Sequence, residues 1–220
     1  MKLFLDTAVV DEIRIIHRWG VLDGVTTNPT LFAKVGGSYA AVLEEICAIT
    51  SGPVSAEVIA DDLEGILREG RAFSKIAPNI VIKVPMGEVG LEAISHFAEE
   101  GIKTNCTLIF SAAQGLLAAK AGAWLLSPFV GRLDDINQDG MEMIRELAAI
   151  IEIHGYESEV LVASVRSPRH VIDGALAGAG VATLPFKVFQ QMVHHPLTDK
   201  GIMQFKTDWA RAQAEAAAKA

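Results

Sequence analysis

Cysteine is scarce in this chain: two residues in 220, Cys47 and Cys106, far apart and without metal-ligand spacing. Such a pair is read as reduced thiols of a cytoplasmic protein. No Lys/Arg block stands out and the net charge is −8, so neither a nucleic-acid groove nor binding to an anionic membrane surface is expected. One or two placed arginines can still hold a small phosphate against an acidic background. No uncharged stretch reaches the length of a membrane span. Asp6 interrupts the apolar run of MKLFLDT after three residues, so this start is not read as a signal peptide. HExxH and His/Asp metal spacings are missing, and no metal is expected. No Ser-His-Asp order is suggested. There is no Walker-type GK[ST], and the first strand-like run leads into DTAVVDE without a glycine. That weighs against an open doubly wound sheet with a phosphate loop. Repeats and low-complexity linkers are absent too, so residues 1–220 are read as one domain.

What is present is an alternation. Half of the residues are hydrophobic, enough for a sizeable core. Strand-like runs fall at 2–6, 24–28, 53–58, 79–84, 102–107, 123–127, 159–164 and 181–185. Amphipathic runs lie between them, several closed by glycine and one opening on Ser167-Pro168. The pattern predicts a (β/α)8 barrel with an additional C-terminal helix and tail over 197–220. Phe205 and Trp209 form an apolar i, i+4 pair on that helix.

The run NIVIKVPM (79–86) has the composition of a buried strand but carries Lys83. A buried amine costs energy unless it is paired, neutralised or used. Side chains alternate along a strand, which puts Lys83 in phase with Val81 and opposite in phase to Ile80, Ile82 and Val84. Six other strands also end on polar residues: Asp6; Thr26 and Asn28; Ser55 and Glu57; Asn105 and Thr107; Ser127, in phase with Phe129; and Ser164 with Arg166. The C-terminal ends of barrel strands form the active-site rim. Any one such residue is most simply an edge or a cap, but seven strands together, with a lysine and two carboxylates, point to a site. A purely structural pair of Lys83 with Asp6 or Glu57 is the alternative. Lys2 and Lys103 sit at strand starts, on the opposite mouth. Lys187 is the weaker candidate for an active amine. His17, His96, His154 and His170 each fall in helical stretches, on solvated or half-buried faces.

A rim lysine with a lowered pKa can condense with a ketone, and the protonated imine then allows the neighbouring C–C bond to break. A carboxylate must move the hydroxyl proton. Arg132 and Arg166 are placed to take a phosphate.

The segments FLDTA (4–8), GVTTNPTLF (24–32), VIKVP (81–85), KTNCTLIFS (103–111), SPFVGR (127–132), ASVR (163–166) and HPLTDKG (195–201) resemble the transaldolases, in particular their short single-barrel subfamily. The resemblance implies that Lys83 forms the Schiff base, that Asp6 takes the C4 hydroxyl proton, and that Glu57 and Thr107 hold and activate a water. It implies that Asn28 and Asn105, with Thr26 and Ser127 close by, bind the dihydroxyacetone hydroxyls, and that Arg132, Ser164 and Arg166 bind phosphate. The implied reaction moves a dihydroxyacetone unit from sedoheptulose 7-phosphate to glyceraldehyde 3-phosphate without a cofactor, in the non-oxidative pentose phosphate pathway. The implied assembly is a homo-decamer of two pentameric rings, with the C-terminal helix reaching a neighbour. Fructose 6-phosphate aldolases are similar throughout, but carry tyrosine at the position of Phe129 and glutamine at that of Glu57. A barrel isomerase or non-catalytic sugar-phosphate binder, with Lys83 a simple cation, is the reading from another class.

Overall fold

In the computed structural model, which describes residues 1–218, eight parallel strands close into a barrel in chain order. They are β1 (Lys2–Asp6), β2 (Gly24–Thr26), β3 (Val54–Glu57), β4 (Ile80–Pro85), β5 (Thr104–Ile109), β6 (Leu125–Pro128), β7 (Glu159–Val162) and β8 (Val181–Leu184). The helices are α1 (Val10–Arg18), α2 (Pro29–Phe32), α3 (Tyr39–Ile49), α4 (Leu63–Phe73), α5 (Glu88–Glu99), α6 (Ala112–Lys120), α7 (Val130–Asp134), α8 (Gly140–His154), α9 (Pro168–Leu176), α10 (Phe186–Val193) and α11 (Pro196–Ala217). This is the (β/α)8 barrel with a C-terminal helix that the alternation predicts.

The apolar residues sort into two layers. Leu5, Val25, Ile82, Val84, Cys106 and Leu126 face outward against the helices, in one core with Ile13, Ile46, Ile94, Phe97 and Leu147. Phe4, Leu125, Leu161, Ala163 and Val181 point inward and fill the barrel floor. Gly24 makes room for this floor: a Cβ there would lie 2.7 Å from the Phe4 ring. At the N-terminal mouth, Lys2 pairs with Glu159 at 2.7 Å, and the Lys103 amine lies 4.4 Å from the centre of the Trp124 ring. Both lysines thus have structural partners, away from the C-terminal rim.

Several expected boundaries shift. β5 and β6 start two residues later than the sequence suggests. The amides of Ile102 and Ala123 bond back to Phe97 and Ala118 near the ends of α5 and α6, which commits them to helix termination rather than to the sheet. Three short helices escape the sequence pattern: α2 and α7, each about one turn, and α10. The helix that follows β8 in the barrel is therefore α10, and α11 comes after it. α11 starts at Pro196, one residue before the expected 197, with the His195 ring accepting the Leu197 amide. Residues 219–220 of the expected tail lie outside the described residues. No residue of α11 is buried, and Phe205 and Trp209 are 74% and 67% exposed. The apolar pair does not pack on its own barrel. Among the described residues no helix is long and apolar enough to cross a membrane.

Candidate active site

Above the apolar floor the barrel opens into a cavity of about 450 Å³ at the C-terminal ends of the strands. Asp6, Thr26, Asn28, Glu57, Lys83, Thr107, Ser127, Phe129, Arg132, Ser164 and Arg166 all line it. Asn105 is the one expected site residue that does not. It is fully buried beneath the cavity, where it accepts from the Ser127 hydroxyl at 2.6 Å and donates to Ser55 Oγ at 3.1 Å.

Register explains the clustering. Glu57 on β3 pairs with Lys83 on β4, and Lys83 pairs with Asn105 on β5. Lys83 is 5% exposed. Its Nζ lies 2.9 Å from Glu57 Oε2 and donates to the Thr27 carbonyl at 3.2 Å. On the other side of the cavity Asp6 pairs with Thr26, whose hydroxyl donates to Asp6 Oδ1 at 2.7 Å. The Thr183 hydroxyl on β8 is 2.6 Å from that of Thr26. With Thr26 donating to Asp6, Thr183 supplies the proton of this second bond. Thr107 Oγ1 is buried without a partner, an acceptor and donor left open at the cavity wall.

The backbone bends to make this rim. Leu108 and Ser164 are non-glycine residues with φ of 59° and 58°, and both line the cavity. Leu108 coincides with a break in register between β5 and β6. Such left-handed residues cost roughly 1–3 kcal/mol each and concentrate where a site over-determines them. Gly131 lets α7 approach the end of β7: a Cβ there would lie 2.2 Å from the Ser164 carbonyl oxygen. This contact brings Arg132 and Arg166 to one side of the cavity.

Both guanidiniums are held. Arg132 stacks 4.9 Å from the centre of the Phe129 ring, and Arg166 Nη2 pairs with Asp135 Oδ2 at 2.9 Å. The Arg166 amide donates to His170 Nδ1 at 3.3 Å, and His170 Nε2 faces Asp134 Oδ2 at 3.1 Å. Sequence reasoning placed His170 on a helix but missed this bracing role, and it missed Thr183 in the cavity wall. Thr183 had a signal, being the polar residue of VATL in phase with the inward Val181. The aspartates had none, because α7 itself escaped notice. Lys187 is exposed on α10 and does not line the cavity. The two thiols, free in the structure, are pushed up by burial to about 11 for Cys47 and about 12 for Cys106, which keeps them unreactive.

A family model described as Transaldolase/Fructose-6-phosphate aldolase matches residues 3–219. The chain belongs to this family. It is 58% identical over 209 residues to a probable transaldolase of Heliobacterium modesticaldum, covering 95% of this chain and 97% of the relative. A probable transaldolase of Herpetosiphon aurantiacus is 59% identical over 209 residues, 95% of each chain. One from Methanococcus maripaludis is 56% identical over 209 residues, 95% of this chain and 97% of the relative.

In this transaldolase/aldolase barrel the Asp6 carboxyl is only partly satisfied. Burial raises its pKa above the ordinary 3.8, and the Lys83 charge, the Thr26 hydroxyl and, least, Lys34 pull it back only in part. A raised folded-state pKa means that the folded chain binds the proton more tightly than the unfolded chain. Asp6 therefore weakens the fold progressively as pH rises from the unfolded value through the folded one. Asp6→Asn keeps an acceptor for Thr26 and removes the charge. Its melting temperature should exceed that of the parent at about pH 8, with the gap narrowing toward about pH 4. A gap that is constant or widens on acidification would show that Asp6 is not held above its ordinary value.

Proposed function

We propose that this protein is a transaldolase working through a Lys83 Schiff base. The observation that carries the reading is the buried Lys83 amine, 2.9 Å from the Glu57 carboxylate and in one cavity with Asp6. Lys83 Nζ attacks the ketose carbonyl carbon, and the carbinolamine loses water to give the imine. Glu57 and the open hydroxyl of Thr107 hold that water and move its protons. Asp6 takes the C4 hydroxyl proton, the C3–C4 bond breaks, and its electron pair is stored as the enamine on Lys83. The acceptor aldehyde then takes the three-carbon unit, and hydrolysis frees the ketose. Asn28, Thr26 and Ser127 order the donor hydroxyls, Asn105 acts on them only through the Ser127 hydroxyl it accepts, and Arg132, Ser164 and Arg166 take the phosphate. The donor is sedoheptulose 7-phosphate and the acceptor glyceraldehyde 3-phosphate, in the cytoplasmic non-oxidative pentose phosphate pathway. No cofactor is needed, because the protonated imine is the electron sink.

Incubation with fructose 6-phosphate and borohydride should leave a reduced adduct on Lys83, found by mass spectrometry. Lys83→Ala should give no adduct and almost no turnover. An unmodified Lys83 would leave the isomerase or binding reading in its place, and an adduct elsewhere would move the chemistry to another lysine.

Transfer is favoured over release by Phe129 and Glu57. The Phe129 ring is half-buried at the cavity wall, 5.8 Å from the Phe110 ring. It offers no proton to the enamine and keeps water off that side. Phe129→Tyr adds a hydroxyl able to donate a proton or order water. It should raise release of free dihydroxyacetone from fructose 6-phosphate and weaken transfer to acceptor. If the rate ratio stays put while stability falls by roughly 1–3 kcal/mol, the new hydroxyl is merely buried and unpaired, and Phe129 does not govern partition.

The same resemblance supports a homo-oligomer, a decamer of two pentameric rings. In the single chain, α11 leaves Ile202, Phe205 and Trp209 on one helix face, at 48%, 74% and 67% exposure, an apolar strip that a neighbouring subunit would cover. Light scattering at micromolar concentration should return a decameric mass, and a monomeric mass would remove the proposal.

A further inference from the structure

The last rung between β2 and β3 is open. Paired residues end at Thr26 and Ser55, and the ladder's final bond runs from the Thr27 amide to the Ser55 carbonyl at 3.1 Å. In a regular parallel ladder the next bond would join the Glu57 amide to the Thr27 carbonyl. Here both groups go elsewhere. The Glu57 amide donates to Tyr39 Oη at 3.1 Å, and the Thr27 carbonyl accepts the Lys83 amine at 3.2 Å.

Tyr39 opens α3 and does not line the cavity. Its hydrogen-bond roles follow from its neighbours. Thr27 Oγ1 spends its one proton on the Ser55 carbonyl at 2.8 Å. The 2.8 Å contact between Tyr39 Oη and Thr27 Oγ1 must then be donated by the tyrosine. That leaves a Tyr39 lone pair for the Glu57 amide. Burial raises the phenol pKa above its ordinary value, so the donor proton stays in place. The ring is fixed between Phe32 on α2, at 4.9 Å, and Phe73 on α4, edge-on at 5.5 Å.

We propose that Tyr39 is a positioning residue for Lys83: its hydroxyl stands in for the Thr27 carbonyl as acceptor of the Glu57 amide, holding the rung open and leaving that carbonyl to the amine. The hydroxyl thereby sets both groups that orient Lys83 Nζ, the Thr27 carbonyl through the Thr27 side chain and the Glu57 carboxylate through its main chain. Without it, the Glu57 amide is left unpaired or closes onto Thr27. Either change moves the carboxylate relative to the amine. The consequence for rate rests on the Schiff-base reading; the hydrogen-bond geometry does not.

Tyr39→Phe deletes the hydroxyl and keeps the ring. At saturating fructose 6-phosphate, kcat and the rate of borohydride trapping on Lys83 should both fall roughly tenfold or more, since small misplacements of a reacting group carry penalties of that size. KM should change by less than about twofold, because no residue touching substrate is altered. Ile46→Val trims a buried side chain of the same helix and leaves the Tyr39 ring with its aromatic partners, and should lower the melting temperature while trapping at the parental rate. Parental trapping and kcat in Tyr39→Phe would overturn the proposal, as would a loss matched by Ile46→Val. A crystal structure of Tyr39→Phe supplies the independent arm. A shifted Glu57 carboxylate or a Lys83 amine off the Thr27 carbonyl supports the role, and an unmoved Glu57 carboxylate with Lys83 still on Thr27 refutes it. Absence of any adduct in the parent would sink the Schiff-base reading alone, and that structure would still decide what Tyr39 holds.

Discussion

A lysine and a glutamate 2.9 Å apart inside a barrel set the terms for everything around them. Removing each charge from water costs several kcal/mol, and mutual attraction repays this only when the remaining protons and lone pairs also find partners. The interior is divided accordingly. Phe4, Leu125, Leu161 and Val181 seal the floor, while the level above is a ring of hydroxyls, amides and carbonyls in mutual bonds: Ser127 to Asn105, Asn105 to Ser55, Thr26 to Asp6. Asp6 is where this balance falls short, since burial outweighs the help of Lys83 and Thr26 and holds its carboxyl above the ordinary value. A base kept partly unsatisfied is a poor element of stability and a good acceptor of a substrate proton.

Holding this ring in place distorts the strands that carry it. The β2–β3 ladder stops one rung early, β5 and β6 lose register beyond Cys106, and Leu108 and Ser164 adopt left-handed backbone. All of these lie at the C-terminal rim. The N-terminal halves of the strands are regular, and their outward faces merge with the helices in one apolar core. That core offsets the strain above it. The division matches the way such barrels separate stability at one end from chemistry at the other.

How far the sequence revealed this follows from the range of each signal. Period-two alternation in NIVIKVP put Lys83 and Ile82 on opposite faces, and the fold agrees: Ile82 lies in the outer core and Lys83 faces the cavity. The same logic brought Asp6, Glu57, Thr107 and Ser164 to one rim. Local patterns failed where a helix is little longer than one 3.6-residue turn. α7 is five residues long and α2 is four, too short for an amphipathic stripe. With α7 unseen, the bonds from Asp134 and Asp135 to His170 and Arg166 were out of reach. Tyr39 was hidden differently. Its sequence position marks it as an ordinary first-turn residue, and only the closed barrel brings α3 against the broken rung. Asn105 stands between these cases: its inward phase was legible, but its bonds to Ser55 and Ser127, which keep it out of the cavity, come from strands distant in sequence.

The arginine side of the cavity bears on the phosphate site proposed above, which an acidic chain would have to present. Arg166 does not wait as a bare cation; it is already paired with Asp135, at 2.9 Å and with both side chains more than half exposed. A pair so exposed contributes about 0–1 kcal/mol, so exchanging the carboxylate for a phosphate costs little. What the aspartate supplies is orientation. It fixes a flexible side chain before ligand arrives, and His170 fixes the main chain of the same residue through its amide. Arg132 is restrained in turn by the Phe129 ring. Part of the ordering entropy that binding would otherwise cost is thus already spent in the free protein. The net charge of −8 belongs to the surface as a whole, whereas a phosphate entering this cavity meets two pre-oriented guanidiniums within the short range over which charges act in salt.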